Sequence, residues 1–181
     1  MKRILTLLIA LLLAAALCPG ALAESAETRS FTDSVGRTVE LPKDLEKVAV
    51  SGPLAQIVLF ALCPDRLVGI ANKWDETAAQ YFDAKYSDLP VLGQLYGGKG
   101  ELNLETLLAS GAQVVVDVGE PKKTIVEDLD ALQQQTGIPF VHITATTADM
   151  GDAYRKLGEL TICLRMRRRW PPTATRSMPR R

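Results

Sequence analysis

The chain has 181 residues, of which 47% are hydrophobic and 23% are charged, and its formal net charge at pH 7 is zero. This length allows one domain with a sizeable core. The charge is unevenly distributed along the chain, because residues 24–160 contain 21 acidic and 12 basic residues, a net charge of −9. An acidic body argues against a nucleic-acid-binding surface. Beyond the first 23 residues the cysteines are Cys63 and Cys163, which indicate neither a disulfide framework nor a zinc site.

Residues 1–23 are predicted to be a cleaved secretory signal peptide. Lys2 and Arg3 form a basic start, an apolar stretch of 14 residues follows, and Ala21-Leu22-Ala23 is a small-x-small cleavage site. A transmembrane anchor is the alternative, but a helix that crosses a bilayer needs about 20 apolar residues. The predicted location is therefore secreted, periplasmic or at the cell surface.

A lipid anchor at Cys18 is a second alternative for the same segment. Leu17 precedes this cysteine, where a lipoprotein cleavage site usually has a small residue. The cleaved signal peptide with a mature chain starting at Glu24 is the preferred interpretation.

The mature chain opens with a predicted hairpin and a first strand–helix unit. Residues 31–41, FTDSVGRTVEL, predict two short strands around a turn, and Pro42 blocks their continuation. Residues 48–50 predict a strand, and Pro53 suits the first turn of a helix that runs to about Leu62.

The next segment predicts shorter elements. Residues 67–71 are expected to form a strand, and residues 72–86 a loop and a helix. Val91 and Leu92 indicate a short strand before a glycine-rich loop at residues 93–100, GQLYGGKG.

The most informative segment is residues 101–120, ELNLETLLASGAQVVVDVGE. Asn103 is a good N-cap for a short helix, and Gly111 suits the position after its end. The apolar run from Val114 to Val118 is typical of a parallel strand covered on both faces. Ligands bind outside the carboxyl ends of such strands, so function is expected next at residues 119–121.

Alternation of strands and helices continues to residue 160. Residues 122–135 predict an amphipathic helix ended by Gly137, residues 139–144 a strand, and Thr146 or Thr147 the cap of a last helix. The fold class is therefore α/β, a Rossmann-like parallel sheet with helices on both faces, preceded by a short β-hairpin.

Several residues near the predicted strand ends are candidates for binding. Amides at the Ser51-Gly52-Pro53 junction can meet an anionic group, or the junction is a plain turn. Trp74 and Tyr81 can stack on a flat ligand or serve in packing. The glycine-rich loop offers backbone freedom with a donor and a cation, or is a flexible connector. Its candidates, with those that close the same mouth, are Tyr96, Gly97, Gly98, Lys99, Glu120 and Lys122.

The one histidine of the chain, His142, lies inside a predicted strand, where a structural role is favoured over that of a ligand. We expect no catalytic residues and no metal site. An enzyme is an alternative that finds no support, because the chain has no nucleophile elbow and no G-x-G-x-x-G between strand and helix.

The order of several motifs resembles one family of transport proteins. DSVGRTVELP, KVAVSGPLAQIVLFAL, PDRLVGIA, LPVLG, LNLETLLASGAQVVVDVG and TGIPFVHI are similar to segments of the iron-complex class of periplasmic binding proteins, over about residues 29–160. These proteins serve ABC importers of ferric siderophores, haem and vitamin B12. The resemblance implies the N-terminal lobe of a class III periplasmic binding protein.

The resemblance also implies partners and residue roles. The ligand would be a metal chelate held between two lobes joined by a long helix, with no resident cofactor. The partner would be a membrane permease driven by a cytoplasmic ATPase, with no contact to nucleic acid, and the protein would be a monomer. Asp88, just before LPVLG, lies near the position of a family carboxylate that docks on the permease.

The chain departs from the family after residue 160. The expected organisation is a binding lobe over residues 24–147, the start of the inter-lobe helix over 148–160, and an Arg- and Pro-rich disordered tail over 161–181. A frameshift is the preferred explanation of the tail; a natural solvated tail and a nucleic-acid-binding arm are the alternatives. The function is then that of a truncated first lobe, with a non-functional fragment as the rival hypothesis.

Overall fold

A computed structural model describes residues 27–97 and 101–161 of the chain. The elements, in chain order, are strands β1 (Thr28–Thr32), β2 (Thr38–Pro42) and β3 (Val48–Val50), helix α1 (Pro53–Leu62), a 3-10 turn (Pro64–Arg66), helices α2 (Glu76–Ala79), α3 (Ala84–Ser87) and α4 (Leu104–Ala109), strand β4 (Val114–Gly119), helix α5 (Ile125–Thr136), strand β5 (Phe140–Thr144) and helix α6 (Met150–Thr161). The predicted signal peptide, Cys18, Gly98, Lys99 and residues 162–181 lie outside the described residues.

Strands β3, β4 and β5 form a parallel sheet with β4 in the middle, and β1 pairs with β2 as a separate antiparallel hairpin. The predicted α/β class with a preceding hairpin is thereby confirmed. Strand β4 is buried on both faces, as the valine run predicts. Leu59 of α1 and Leu157 of α6 belong to the hydrophobic core that contains Val116, whereas Leu107 and Leu129 belong to a second core around Val115.

Local signals in the sequence place the ends of several helices correctly. The Asn103 side chain accepts a hydrogen bond of 2.9 Å from the Thr106 amide, so it caps α4 as predicted. Gly111 and Gly137 both have positive φ after a helix, at 66° and 71°. Pro53 lies in the first turn of α1.

Two predicted elements differ in the structure. Residues 67–71 do not form a continuous strand, because the segment changes partner: the Val68 amide donates to Val48, and the Ile70 amide donates to Pro90. Only isolated bridges result, Val48 to Leu67 and Ile70 to Val91. In place of the one helix predicted within residues 72–86, two four-residue helices form, α2 and α3, since the side chains of Asp75 and Asp83 each cap a separate start.

Arg37 joins the hairpin to the main sheet. Its buried guanidinium donates to the Phe140 carbonyl at 2.6 Å and to Asp130 at 2.8 Å, and it faces the buried carboxylate of Asp33 at 3.5 Å. Oδ2 of Asp33 in turn accepts from the His142 amide at 3.2 Å. The hairpin turn therefore lies against the outer edge of β5.

Two arginines meet the last turn of α6. Arg29 of β1 donates to the carbonyl of Leu160, and Arg66 donates to the carbonyl of Thr161. These bonds join α6 to β1 and to the 3-10 turn, over separations of 131 and 95 positions in the chain. Within the parts of the chain that the structure describes, no helix is long and apolar enough to span a bilayer.

Candidate functional site

A cleft opens at the carboxyl ends of β3 and β4, where the α/β pattern predicts a ligand site. It has a volume of about 190 Å³. The residues around it come from the β3–α1 junction, the glycine-rich loop and the end of β4: Ser51, Gly52, Pro53, Leu54, Tyr96, Asp117, Val118, Gly119, Glu120 and Lys122. Six of the predicted site residues are thus brought together: Ser51, Gly52, Pro53, Tyr96, Glu120 and Lys122.

A wider concavity of about 630 Å³ adjoins this cleft on the side of β5 and α6. It shares Leu54, Gly119 and Glu120 with the cleft and adds the segment that leads into α6, Ala145, Thr146, Thr147, Ala148 and Met150. We call the two together the strand-end groove. Pockets for small molecules usually measure about 300–1,000 Å³, so the groove as a whole has the required size whereas the cleft by itself does not.

A polar row crosses the three parallel strands beneath the cleft. Asp117 pairs in register with His142, and its Oδ2 lies 2.7 Å from His142 Nδ1. Ser51, which follows Val50, donates its hydroxyl to the other oxygen of Asp117. Ionised carboxylates only accept hydrogen bonds, so the proton shared with His142 belongs on Nδ1. Both oxygens of Asp117 are thereby fixed from the protein side.

His142 is fully buried, and its Nδ1 atom has a structural role because it contacts Asp117. Its Nε2 atom is buried without a hydrogen-bond partner among the described residues. The sequence singled out Ser51 and His142 but not Asp117. The aspartate lies within VVVDVG, where the apolar neighbours indicate a buried strand. Nothing in this pattern shows that the one polar side chain of the segment reaches the cleft.

Tyr96 is held in place from two directions. Its hydroxyl donates to Oδ2 of Asp128 at 2.6 Å, and Thr124 donates to the same oxygen at 2.8 Å. The preceding Leu95 amide donates to the Ser51 carbonyl at 2.7 Å. Burial, together with the nearby carboxylate of Asp128, raises the pKa of Tyr96 above its ordinary value. The described part of the glycine-rich loop is therefore anchored to β3 and α5.

The junction before α1 has no side-chain cap. Gly52 is the N-cap residue, and no side chain caps the helix. Ser51 is buried, and its hydroxyl already donates to Asp117.

Gly97 of the glycine-rich loop is exposed, with φ of 116°, and its carbonyl accepts a hydrogen bond of 3.2 Å from the Gln94 side chain.

Trp74 and Tyr81 line neither part of the groove. Trp74 packs in an aromatic cluster, with ring centroids 5.1 Å from both Phe60 and Phe82. Gln56 positions the preceding segment, since its side chain bonds the backbone of residues 71 and 72. Tyr81 is 83% exposed. A ligand contact for these two aromatic residues stays a prediction.

Asp88 is exposed at the end of α3, where its amide donates to Ala84 at 3.0 Å. Residues 27–97 and 101–161 contain no group of three His, Cys, Asp or Glu side chains that could hold a metal ion.

Comparison with known proteins shows what this arrangement is. No protein-family model matches the chain, and no curated protein matches it. Among solved structures, an ABC transporter solute binding protein from Sulfurospirillum deleyianum superimposes with a TM-score of 0.65 at 18% identity, covering 75% of this chain and 42% of that one. The chain has the class III solute-binding protein fold.

Two further structures with this solute-binding fold are of proteins named for their ligands. The molybdate-bound periplasmic protein MolA of a Haemophilus influenzae ABC transporter has a TM-score of 0.50 at 19% identity, over 75% of this chain and 45% of its own. The heme binding protein HmuT has a TM-score of 0.50 at 20% identity, over 75% and 41%. The chain thus spans less than half the length of these solute-binding proteins.

Proposed function

We propose that the chain is the extracytoplasmic substrate-binding component of an ABC importer for an iron complex: a siderophore, haem or a corrinoid. It supplies the N-terminal lobe, and the strand-end groove is its half of the ligand site. The observation that carries this proposal is the meeting of Ser51, Tyr96 and Glu120 at the carboxyl ends of β3 and β4 in a solute-binding fold. An iron complex as ligand is supported by HmuT, a heme binding protein with this fold, whereas MolA with the same fold binds molybdate.

Affinity of this chain for a ligand is expected to be weak. The groove is open on one side, whereas sites for small molecules bury about 70–90% or more of the ligand surface. One lobe removes from water only the ligand face that lies against it, so the interaction offsets the entropic cost of binding poorly. We expect a Kd on the order of 1 mM or above, near −4 kcal/mol.

Amide chemical shifts of the isotope-labelled chain test this function, because they detect weak binding and its location. Cyanocobalamin, gallium ferrichrome and gallium protoporphyrin serve as diamagnetic probes. Shifts are expected at Gly52, Tyr96 and Glu120, and not at Asp44, which precedes β3 at the opposite end of the sheet. Absence of shifts with all three probes contradicts the function, and tight binding contradicts the expected weakness.

The proposed partner is a permease with a cytoplasmic ATPase, reached by a mature chain secreted after cleavage at Ala23 or anchored at Cys18. The chain acts as a monomer, and the exposed Asp88 docks on the permease. Asp88→Lys is expected to weaken cross-linking to membranes that contain the permease, while Asp44→Lys, the same change at an exposed position before β3, serves as the control. Equal cross-linking of both variants contradicts the docking role.

A hydrolase is not favoured by the Ser51–Asp117–His142 row. In a serine hydrolase the histidine lies between serine and acid, so that it takes the serine proton. Here Asp117 lies between the other two, and the Ser51 hydroxyl donates to the carboxylate. Loss of a measured esterase turnover in Ser51→Ala or His142→Asn would restore the enzyme hypothesis.

The rival proposal is a non-functional fragment. Such a fragment exposes surface that a second lobe would cover and is expected to aggregate. Light scattering of the purified chain distinguishes the two: a monodisperse monomer supports the binding lobe, and growing particles support the fragment.

A further inference from the structure

We infer that Asp117 selects the charge of the ligand: the cleft takes cationic or hydrogen-bond-donating chelates and disfavours anionic ones. This inference rests on the proposed function and names the substrate class of the same groove. Asp117 is the residue through which the buried polar row reaches the cleft.

The carboxylate of Asp117 is fixed and partly accessible. Its side chain is 12% exposed and lines the cleft, whereas Ser51 and His142 are almost wholly covered. Ser51 occupies Oδ1 and His142 Nδ1 occupies Oδ2, so the side chain cannot rotate away without breaking both bonds. A carboxylate accepts about four hydrogen bonds, and the lone pairs that remain are offered to a donor from the cleft.

Two carboxylates and one lysine line the described cleft, and the amino terminus of α1 at Gly52 adds a partial positive charge of about half a unit. Glu120 is the second of these carboxylates. Burial raises the pKa of the Tyr96 hydroxyl, and the nearby carboxylates of Asp128, Asp117 and Glu127 raise it further. Lys122 is the cation among the residues that line the described cleft, and it is exposed at the rim. Exposed charges are screened by salt more strongly than buried ones, and the buried carboxylate of Asp117 carries a full charge against about half a charge at the helix terminus, so Asp117 dominates at the floor of the cleft.

An anionic ligand would therefore meet a fixed negative charge at a site where water has been partly removed. Like charges brought together in such a setting repel strongly, and specificity arises as much from this repulsion as from attraction to the preferred ligand. A chelate with an ammonium group or hydroxyl donors would instead complete the hydrogen bonds of Asp117.

Three gallium chelates of similar size and different charge test the inference on the full chain: desferrioxamine B, which keeps a free ammonium group; ferrichrome, which is neutral; and enterobactin, which is anionic. Dissociation constants come from amide shifts of the cleft residues. We expect the cationic chelate to bind best and the anionic one worst, by on the order of tenfold or more. The order of affinities in the unaltered chain is itself decisive, whether or not a variant folds.

Asp117→Asn keeps the shape of the side chain and removes its charge. This variant should reduce the ratio between the dissociation constants of the anionic and the cationic chelate by on the order of tenfold. Asp44→Asn makes the same charge change at the far end of the sheet and should leave that ratio unchanged. A general structural defect would weaken all three chelates alike and would not change their ratio. If amide shifts show that the anionic chelate binds best, or if Asp117→Asn leaves the affinity ratio unchanged, the inference is wrong but the proposed function stands. Absence of shifts with every chelate overturns the proposed function as well.

Discussion

The hydroxyl of Tyr96 donates a hydrogen bond of 2.6 Å to Oδ2 of Asp128 and so ties the glycine-rich loop to helix α5. The two residues are 32 positions apart, and Thr124 shares the same acceptor oxygen. This link decides how firmly one wall of the candidate cleft is held, because Tyr96 lines the cleft directly.

Tyr96→Phe is expected to lower the free energy of unfolding by about 1–2 kcal/mol, since the bond to Asp128 has an ionised acceptor. Urea denaturation measures the change. Tyr81→Phe is the matched control and should change stability by less than about 0.5 kcal/mol, because Tyr81 is 83% exposed. Equal effects of the two variants would show that the Tyr96 bond is not formed in solution.

Stability should also fall in alkali through Tyr96. Burial and Asp128 favour the neutral phenol and raise the pKa of Tyr96 in the folded chain. A pKa that is raised on folding contributes stability below the unfolded value of about 10, and this contribution is lost as the pH rises above it. The free energy of unfolding should therefore change less between about pH 8 and about pH 11 in Tyr96→Phe than in the unaltered chain. Identical differences would contradict the assignment.

Arg37→Ala is expected to cost about 3–5 kcal/mol of unfolding free energy, because it leaves the buried carboxylate of Asp33 without its cation and the Phe140 carbonyl without its donor. Arg155→Ala removes the same type of side chain from an exposed pair with Asp152 and should cost less than about 1 kcal/mol. Thermal or urea unfolding of both variants provides the test. A similar small loss in each would mean that the hairpin is not locked through Arg37.

Gly93→Ala should be more harmful than Gly111→Ala, although both glycines have positive φ, 81° and 66°. A Cβ at Gly93 would overlap the carbonyl oxygen of Glu101, whereas at Gly111 the nearest neighbour is the flexible end of Lys47. We expect about 1 kcal/mol of lost stability at Gly111 and at least about twice that at Gly93. Equal losses in unfolding experiments would mean that the loop yields to the added methyl group.

Local signals accounted for much of the fold. Asn103, Gly111 and Pro53 each act through a neighbour a few residues away, so the sequence alone indicates what they do. The buried strand β4 was equally visible, because covering both faces requires an apolar run. The expected strand at residues 67–71 was wrong, since its hydrogen bonds divide between two partners that a sequence pattern does not identify.

The site was predictable only in part, for the same reason. Ser51, Gly52, Pro53 and Glu120 follow strands, and the rule for strand ends finds them. Asp117 was missed because it resembles an interruption of a valine run, and its role depends on Ser51 and His142 in two neighbouring strands. The aromatic partners of Trp74 are Phe60 in α1 and Phe82 between α2 and α3, and this contact cannot be seen from spacing.

Arg29 and Arg66 tie helix α6 to two distant parts of the chain. Arg29 lies 131 positions before Leu160, and Arg66 lies 95 positions before Thr161, the residues whose carbonyls they bind. Local opening of this turn must therefore break bonds to both β1 and the 3-10 turn. Amide hydrogens of the turn are accordingly expected to exchange with solvent slowly, as they do in structure that opens only cooperatively.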